Sequence, residues 1–250
     1  MKRLGNVITY RKVVDLTHVL EPGSPAWPGD PPVTFETVAT IEGNGYYLRR
    51  FSMGEHSGTH LNAPKSFHPT GSSVSEYPPG ALVTPAVLVD VRERAAAAPD
   101  YTLALEDIRA WERRHGDIPA GSVVLLFTGW QERWSDPRAF LGLDAEGRLH
   151  FPGFGVEAAR WLLHERRIRG LGTDAPGVEP GWDSSFAVNR LVLEEPSFAA
   201  DPAIKPPPRL VLECLAHLDE LPPTGAILVI GILRLRDGSG SPASVLALVP

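Results

Sequence analysis

Three apolar runs constrain the fold of this chain more than any other feature of its sequence. They lie at residues 86–91 (AVLVDV), 122–127 (SVVLLF) and 226–233 (AILVIGIL). Because these runs lack a polar residue at every second position, they predict strands that are buried on both faces. A further apolar run at residues 243–249 predicts a closing strand. A sheet covered on both faces needs helices as well, so the sequence predicts an α/β fold with a dominant β framework.

A hairpin is predicted before these strands. Residues 33–41 alternate and are rich in β-branched side chains, residues 46–53 follow the same pattern, and the sequence Gly-Asn-Gly at residues 43–45 separates them. β-Branched alternation on either side of a glycine-rich turn is typical of two antiparallel strands.

Two helices are predicted as well. The first covers residues 105–115, where apolar side chains recur at helical spacing before Gly116, which is a stop signal. The second covers residues 156–166. Residues 194–208 contain five prolines and few periodic apolar positions, so an extended surface loop is predicted there.

Composition narrows the class of protein. With 25 prolines and 24 glycines among 250 residues, the chain suits many turns and short strands, and we expect one domain over residues 1–250. The net charge of −6 and the lack of a basic block argue against nucleic acid or an anionic membrane as a partner.

The absence of a long apolar run or an apolar leader predicts a cytoplasmic protein. A single cysteine, Cys214, excludes an intramolecular disulfide framework and is expected to be an inert core residue.

The densest functional signal is the segment GEHSGTHLNAPKSFH at residues 54–68, which holds three of the eight histidines. His56 and His60 are candidate metal ligands, since imidazole commonly binds zinc and related metals. Two histidines four residues apart arise by chance about a quarter of the time in a chain of this composition. Gly58 and Pro64 make a helix improbable, and a glycine-containing turn can bring both rings to one point. The alternative is that these are loop histidines hydrogen-bonded to their neighbours.

Two carboxylates are further candidates. Glu213 interrupts the apolar stretch at residues 209–215, and a buried carboxylate is costly unless a cation or a metal pairs with it. An internal salt bridge and metal ligation therefore both remain open. Two histidines and one glutamate would form a three-ligand catalytic site. Asp174 follows a short strand, and a structural role in its turn is favoured over a role in a site.

Several ordered motifs resemble the cyclase family of metal-dependent hydrolases, which includes kynurenine formamidase and isatin hydrolase. They cover nearly the whole chain: VDLTH at residues 14–18, WPGDP at 27–31, HSGTH at 56–60, TGW at 128–130, GTDAP at 172–176 and LECLAHLDEL at 212–221. The resemblance implies a swivelling β/β/α domain with a strand-rich core. It also implies a homodimer or higher homo-oligomer, and zinc or manganese used to open amides or lactones.

Three positions depart from the family motif HxGTHxDxPxH and the later histidine that completes its metal cluster. Asn62 stands in place of the bridging aspartate, Ser66 in place of the last motif histidine, which has the proton-transfer role, and Asn189 in place of the later metal histidine. Two cations need a bridging carboxylate to screen them from each other, so one divalent metal is predicted instead. Its ligands would be His56, His60 and Glu213, with the Asn62 oxygen as a weak fourth ligand, and an empty site is the alternative.

Because the motif histidine is absent, residues near its position are candidates for the proton-transfer role. Ser66 occupies its position, and His68 lies two residues later, so these two are the candidate catalytic residues. For the substrate, Trp27 and Trp130 are predicted as flat walls and Asn189 as a contact.

Three functions are consistent with this pattern. The leading hypothesis is a hydrolase that opens an amide or lactone of a small cyclic or aromatic molecule through a metal-activated water. The second is a cyclase acting on a polyketide-like natural-product intermediate. The third is a non-catalytic binding protein that has kept the fold and lost the metal.

Overall fold

The structure is a computed structural model that describes residues 7–195 and 206–250. Twelve strands lie in this part of the chain: β1 (Lys12–Asp15), β2 (Thr34–Ala39), β3 (Leu48–Ser52), β4 (His60–Asn62), β5 (Val83–Asp90), β6 (Thr102–Leu103), β7 (Val123–Phe127), β8 (Gly153–Phe154), β9 (Gly170–Thr173), β10 (Leu210–Glu213), β11 (Ala226–Ile232) and β12 (Gly240–Val249). Its helices are α1 (Ile41–Asn44), α2 (Arg92–Ala97), α3 (Leu105–His115), α4 (Pro137–Leu141), α5 (Val156–Glu165) and α6 (Ala187–Leu193). Short 3₁₀ turns occupy Pro64–Ser66, Val74–Glu76, Pro79–Leu82, Trp130–Arg133 and Leu218–Glu220.

Seven strands close into a barrel-like sheet. Their order is β12-β11-β5-β7-β9-β10-β4, and β4 pairs back onto β12, while β1 adds to β12 from outside the ring. The four neighbours β5, β7, β9 and β10 are parallel, and the other pairings of the ring are antiparallel. Closure depends on β4, which has only three residues and hydrogen-bonds to both β10 and β12.

Two apolar cores fill the two sides of the parallel strands. Within β7, Val123, Leu125 and Phe127 join the core inside the barrel, whereas Val124 and Leu126 join the core between the sheet and helices α3 and α5. All five residues of β7 are buried. The prediction of strands buried on both faces is therefore confirmed for β5 and β7, whose apolar side chains alternate between the two cores.

The same prediction is wrong for one face of β11. Ile227 and Val229 are only half-buried, and the core beneath the helices contains no residue of β11. β11 pairs antiparallel with both of its neighbours, and an antiparallel sheet can leave one face without helical cover. An unbroken apolar run does not reveal this difference.

The other predicted elements match closely. α3 has the predicted bounds, and α5 ends one residue earlier than predicted. β2 and β3 pair as the predicted hairpin, although their connection is the short helix α1, which Thr40 caps at its start and Gly45 (φ 77°) ends. α6 was not predicted. The surface loop predicted for residues 194–208 lies mostly outside the described residues.

Across residues 7–195 and 206–250, every helix is too short or too polar to span a membrane.

Candidate functional site

The site lies where two strands of the barrel place polar residues opposite each other. β10 ends at Glu213, and its antiparallel register with β4 sets Glu213 against His60. Because side chains alternate along a strand, Leu61 and Leu212 point into the barrel core, while His60 and Asn62 point to the other side with Glu213. The backbone pairing thus brings together three of the predicted ligand residues.

Four nitrogen atoms surround the buried carboxylate of Glu213. Its Oε2 lies 3.1 Å from His60 Nε2 and 2.9 Å from Asn62 Nδ2. Its Oε1 accepts hydrogen bonds from Asn189 Nδ2 and from the Val178 backbone N–H, both at 3.1 Å. Burial acts to raise the pKa of Glu213, but His60 and the two carboxamides outweigh it and hold the pKa below its ordinary value. The carboxylate is thus kept charged and in one orientation.

The orientation of His60 is fixed from its other side. Its Nδ1 lies 2.8 Å from the Gly58 carbonyl oxygen. A carbonyl oxygen only accepts, so Nδ1 carries a proton and Nε2 faces Glu213. A backbone carbonyl behind one ring nitrogen is the usual support for a histidine that binds a metal through the other. A neutral His60 would set its lone pair against a carboxylate oxygen, so a positive charge, either a proton or a cation, belongs between them.

His56 reaches this cluster through Asn62. Its Nδ1 lies 2.5 Å from Asn62 Oδ1, and its Nε2 lies 2.9 Å from the Ser239 hydroxyl. Ser239 in turn donates to Glu55 at 2.7 Å. Burial lowers the pKa of His56, and neighbouring His60 lowers it further. Asn62 therefore bridges His56 and Glu213, which is the position that the resemblance assigns to a bridging aspartate.

We tested whether these residues fit a cation. In the described part of the chain, no three histidine, cysteine, aspartate or glutamate side chains are grouped to hold a metal ion. His60 and Glu213 are in direct contact, but Asn62 separates His56 from them. Asn62 Nδ2 lies 2.9 Å from Glu213 Oε2 and 3.5 Å from Asn189 Oδ1. Asn189 Nδ2 lies 3.1 Å from Glu213 Oε1. Both carboxamides face Glu213 through Nδ2, so the donor set fits one cation only when each carboxamide turns its oxygen toward the site. The ligand roles of these residues stay predictions.

Glu179 also belongs to this cluster, although it was not predicted as a site residue. Its carboxylate is 4% exposed and accepts from both the backbone N–H of Asn189 and its Nδ2, the latter at 2.9 Å. Burial, reinforced by the nearby charge of Glu213, raises the pKa of Glu179 to about 7. The one available signal was a carboxylate three residues after the GTDAP motif, within the glycine- and proline-rich segment APGVEPG at residues 175–181.

A cavity of about 370 Å³ opens beside the polar cluster. Its aromatic lining residues are Trp27, Phe67, Phe140, Phe151 and Phe186. The ring centroid of Trp27 lies 5.9 Å from that of Phe186 and 6.3 Å from that of Phe151. Trp27 and Asn189 both line the cavity, and their roles as substrate contacts stay predictions. A mostly apolar cleft of this size with a few polar groups suits a small aromatic molecule.

Three other predicted site residues do not line the cavity. Trp130 is buried, and its indole N–H donates to the Phe140 carbonyl at 2.6 Å, so it supports a wall. The Ser66 hydroxyl donates to the Ser239 carbonyl at 2.6 Å. His68 Nε2 lies 2.9 Å from the Arg190 carbonyl. The catalytic roles of Ser66 and His68 stay predictions.

Asp174 has the structural role that its sequence context favoured. Its carboxylate is fully buried and accepts from the backbone N–H and hydroxyl of Thr128, at 2.9 and 2.7 Å, and from the Gln131 backbone N–H. Burial raises the pKa of Asp174 to about 6. These contacts tie the loop after β9 to the loop after β7.

A histidine–glutamate–carboxamide cluster on the wall of an aromatic cavity, carried by a closed sheet, defines the class as an enzyme of the hydrolase type. The Cyclase family model matches residues 14–180, and the chain belongs to this family. It is 35% identical to isatin hydrolase of Roseibium aggregatum over 96% of this chain and 92% of the relative.

Solved structures agree with this family. Isatin hydrolase A from Labrenzia aggregata bound to benzyl benzoate is 35% identical with a TM-score of 0.83, and the match covers 95% of this chain and 93% of that one. A potential metal-dependent hydrolase with cyclase activity is 25% identical with a TM-score of 0.65, covering 94% and 96%. The predicted swivelling β/β/α fold and the predicted enzyme class are therefore confirmed, and so is a small-molecule substrate.

Proposed function

We propose that this protein is a hydrolase that opens the amide bond of a small cyclic aromatic compound by adding water. One observation carries the proposal: the cluster of His60, Asn62 and Glu213 lies on the wall of an aromatic cavity. An aromatic amide held by the rings would present its carbonyl group to these polar side chains. The relationship to isatin hydrolase over nearly the whole chain supports this chemistry.

The cofactor that we propose is one divalent cation, zinc or manganese, bound by His60 and Glu213 with the carboxamide oxygens of Asn62 and Asn189, and with His56 behind Asn62. The name of a related structure as a metal-dependent hydrolase supports a divalent metal. When bound, such a cation polarises a carbonyl group and lowers the pKa of water. The Gly58 carbonyl holds His60 in place before the substrate arrives, and the Val178 backbone N–H does the same for Glu213.

The remaining steps belong to the protein itself. Trp27 and Phe186 would hold the substrate ring and exclude water from its faces. Glu179 lines the same cavity, and with a pKa near 7 its carboxyl group can take a proton from water and return it to the leaving nitrogen. Ring opening by one water then gives a carboxylate and an aromatic amine in one product.

The test combines turnover with metal content. Purified protein is incubated with isatin in ¹⁸O-labelled water, and elemental analysis is carried out on wild type, His60→Ala and Glu213→Ala, with His164→Ala as an exposed control. We expect a ring-opened product whose carboxylate contains one solvent oxygen, about one metal per chain, and loss of both in the two site variants. A wild-type protein that binds neither zinc nor manganese and leaves isatin intact would contradict the proposal. A rearranged product without ¹⁸O would favour the cyclase alternative.

We also propose a homodimer, which the exposed hairpin supports. β2 and β3 pair only with each other among the described strands, and Ile41, Tyr46, Tyr47 and Phe51 are all exposed. A two-stranded hairpin is marginally stable alone, so a second copy that covers these side chains would stabilise it. Light scattering should give a dimer mass for wild type and a monomer mass for a Tyr47→Ser, Phe51→Ser double variant. A monomeric wild type would contradict the proposal.

Two broader expectations stay proposals. One domain over residues 1–250 is supported by the barrel, because β1 and β12 from opposite ends of the chain pair with each other. The cytoplasmic location predicted from the sequence stays a prediction.

A further inference from the structure

The cavity has an unusual charge balance for an enzyme whose product is a carboxylate. Four carboxylates line it, from Asp30, Glu179, Asp183 and Glu213, and no lysine or arginine is among its described lining residues. Glu179, with a pKa of about 7, carries only part of a negative charge near neutral pH, so a bound divalent cation would leave an excess of between one and two negative charges. The cavity therefore keeps a negative potential that attracts cations and repels anions.

The two carboxylates outside the polar cluster have no cationic partner of their own. Asp30 follows the turn that begins at Trp27, where its backbone N–H donates to the Trp27 carbonyl at 3.0 Å. No described residue forms an ion pair with either Asp30 or Asp183. Asp183 accepts only from the backbone N–H and hydroxyl of Ser185, at 2.8 and 2.5 Å. Both groups are thus free to bind a positive charge.

Arg190 does not change this balance. Its guanidinium group lies over Phe67 at 5.4 Å and donates to the carbonyl oxygens of Ser185 and Phe67. It does not line the cavity. Its donors are used to hold the backbone beside α6, so it is not placed to bind the carboxylate of a substrate.

Aromatic rings line the same cavity as these carboxylates. The centroid of Phe186 lies 5.9 Å from Trp27 and 5.5 Å from Phe67, with tilted ring planes. The negative faces of such rings attract an ammonium group, and this attraction adds to that of nearby carboxylates. The combination recognises an aromatic ring that carries a protonated amine.

We propose that this hydrolase acts on small aromatic amides that carry a positively charged amino group, and that it discriminates against substrates that carry a carboxylate. The inference rests on the proposed amide hydrolysis and adds a substrate class to it. The negative cavity also favours release, because the ring-opened product gains a carboxylate that the lining repels.

The experiment compares three matched compounds: isatin, its 5-aminomethyl derivative and its 5-carboxylate derivative. KM is measured by loss of the isatin absorbance, and Kd by calorimetry on the same holoenzyme. Relative to isatin, we expect KM and Kd about fivefold lower for the ammonium compound and about fivefold higher for the carboxylate, with both differences shrinking in high salt. Equal values for all three, or tightest binding of the carboxylate, would overturn the proposal.

Variants assign the effect to the two outer carboxylates. In an Asp30→Asn, Asp183→Asn double variant, we expect the ratio of KM for the carboxylate compound to KM for the ammonium compound to fall at least about threefold. The matched control is Glu106→Gln, Glu157→Gln, which makes the same change in net charge on exposed positions of α3 and α5. An unchanged ratio in the double variant, or an equal fall in the control, would overturn the proposal. If no compound is hydrolysed, amide hydrolysis fails, while the Kd values still decide the charge preference.

Discussion

The side-chain Nδ2 of Asn62 lies 2.9 Å from Oε2 of Glu213, so a neutral carboxamide donates a hydrogen bond to the buried carboxylate of the site. The same carboxamide places its oxygen 2.5 Å from His56 Nδ1. A carboxamide can therefore satisfy both neighbours without a second cation, whereas an aspartate at this position would face Glu213 as a second negative charge.

Asn62→Asp should make the protein depend more strongly on metal. Without metal, two carboxylates would repel each other in a buried site, so the melting temperature should fall. With zinc or manganese, we expect at least about tenfold tighter binding and a larger rise in melting temperature than in wild type. Calorimetry and thermal melts measure both effects. Asn44→Asp, on the exposed helix α1, is the control, and equal metal affinity in wild type and Asn62→Asp would contradict the expectation.

Trp27→Ala should weaken binding of aromatic substrates more than it slows the chemical step. The half-buried indole lines the cavity and contacts Phe151 and Phe186, so its loss removes part of the wall but no polar group. We expect KM to rise roughly tenfold, with kcat changed less than about threefold. Steady-state kinetics test this. Trp182→Ala is the matched control because Trp182 is 61% exposed and does not line the cavity. A drop in kcat with KM unchanged would count against the placement.

His68→Ala should leave most of the activity intact. His68 does not line the cavity, and its Nε2 lies 2.9 Å from the Arg190 carbonyl, whereas a general base must reach the proton that it removes. We expect kcat to change less than about threefold, against the hundredfold or greater loss typical of a missing general base. A large loss, together with a missing limb of the pH–rate profile, would restore His68 to the catalytic role predicted from the sequence.

Stability should fall as the pH is lowered from about 6.5 to 4, and His18 should account for much of the fall. Its ring stacks on Trp134 at 4.1 Å, and burial, aided by the charge of His217, lowers the pKa of His18 to about 4. Between the unfolded pKa of 6.5 and the folded value, the unfolded chain binds more protons, so acid favours unfolding.

The measurement for His18 is the melting temperature between pH 7 and 4. His18→Phe keeps a flat ring beside Trp134 and cannot be protonated, so its melting temperature should fall less over this range. His164→Gln removes an exposed histidine and should behave as wild type. If the melting temperatures of wild type and His18→Phe fell equally with pH, burial of His18 would not be the cause of the loss of stability in acid.

The sequence predicted well wherever one local rule determines the structure. Gly116 ends α3 at the predicted residue, and the alternation around the Gly-Asn-Gly segment predicts the β2–β3 pairing. The convergence of His60 and Glu213 also followed from residue type, because a glutamate inside an apolar strand needs a partner.

Features that depend on long-range packing could not be predicted. β4 has three residues, too few for a periodic pattern, and its pairing with β12 joins positions about 180 residues apart. Glu179 lies in an irregular loop, where no spacing rule applies. Trp130 was predicted to face the substrate, but its indole N–H bonds to Phe140 one layer behind the cavity. From sequence, an aromatic residue in a wall cannot be distinguished from one that supports it.

The short strand β4 has a consequence for how the barrel opens. This strand presents His60 and Asn62 on one side of the sheet, and its backbone pairs with both β10 and β12 to close the ring. If β4 separated from the sheet, its pairings with β10 and β12 would break together, and the cluster of His60, Asn62 and Glu213 would be lost at the same time. Amide hydrogen exchange at residues 60–62 should therefore slow when the site is filled, so that exchange at this seam reports occupancy of a pocket on the outer side of the barrel wall.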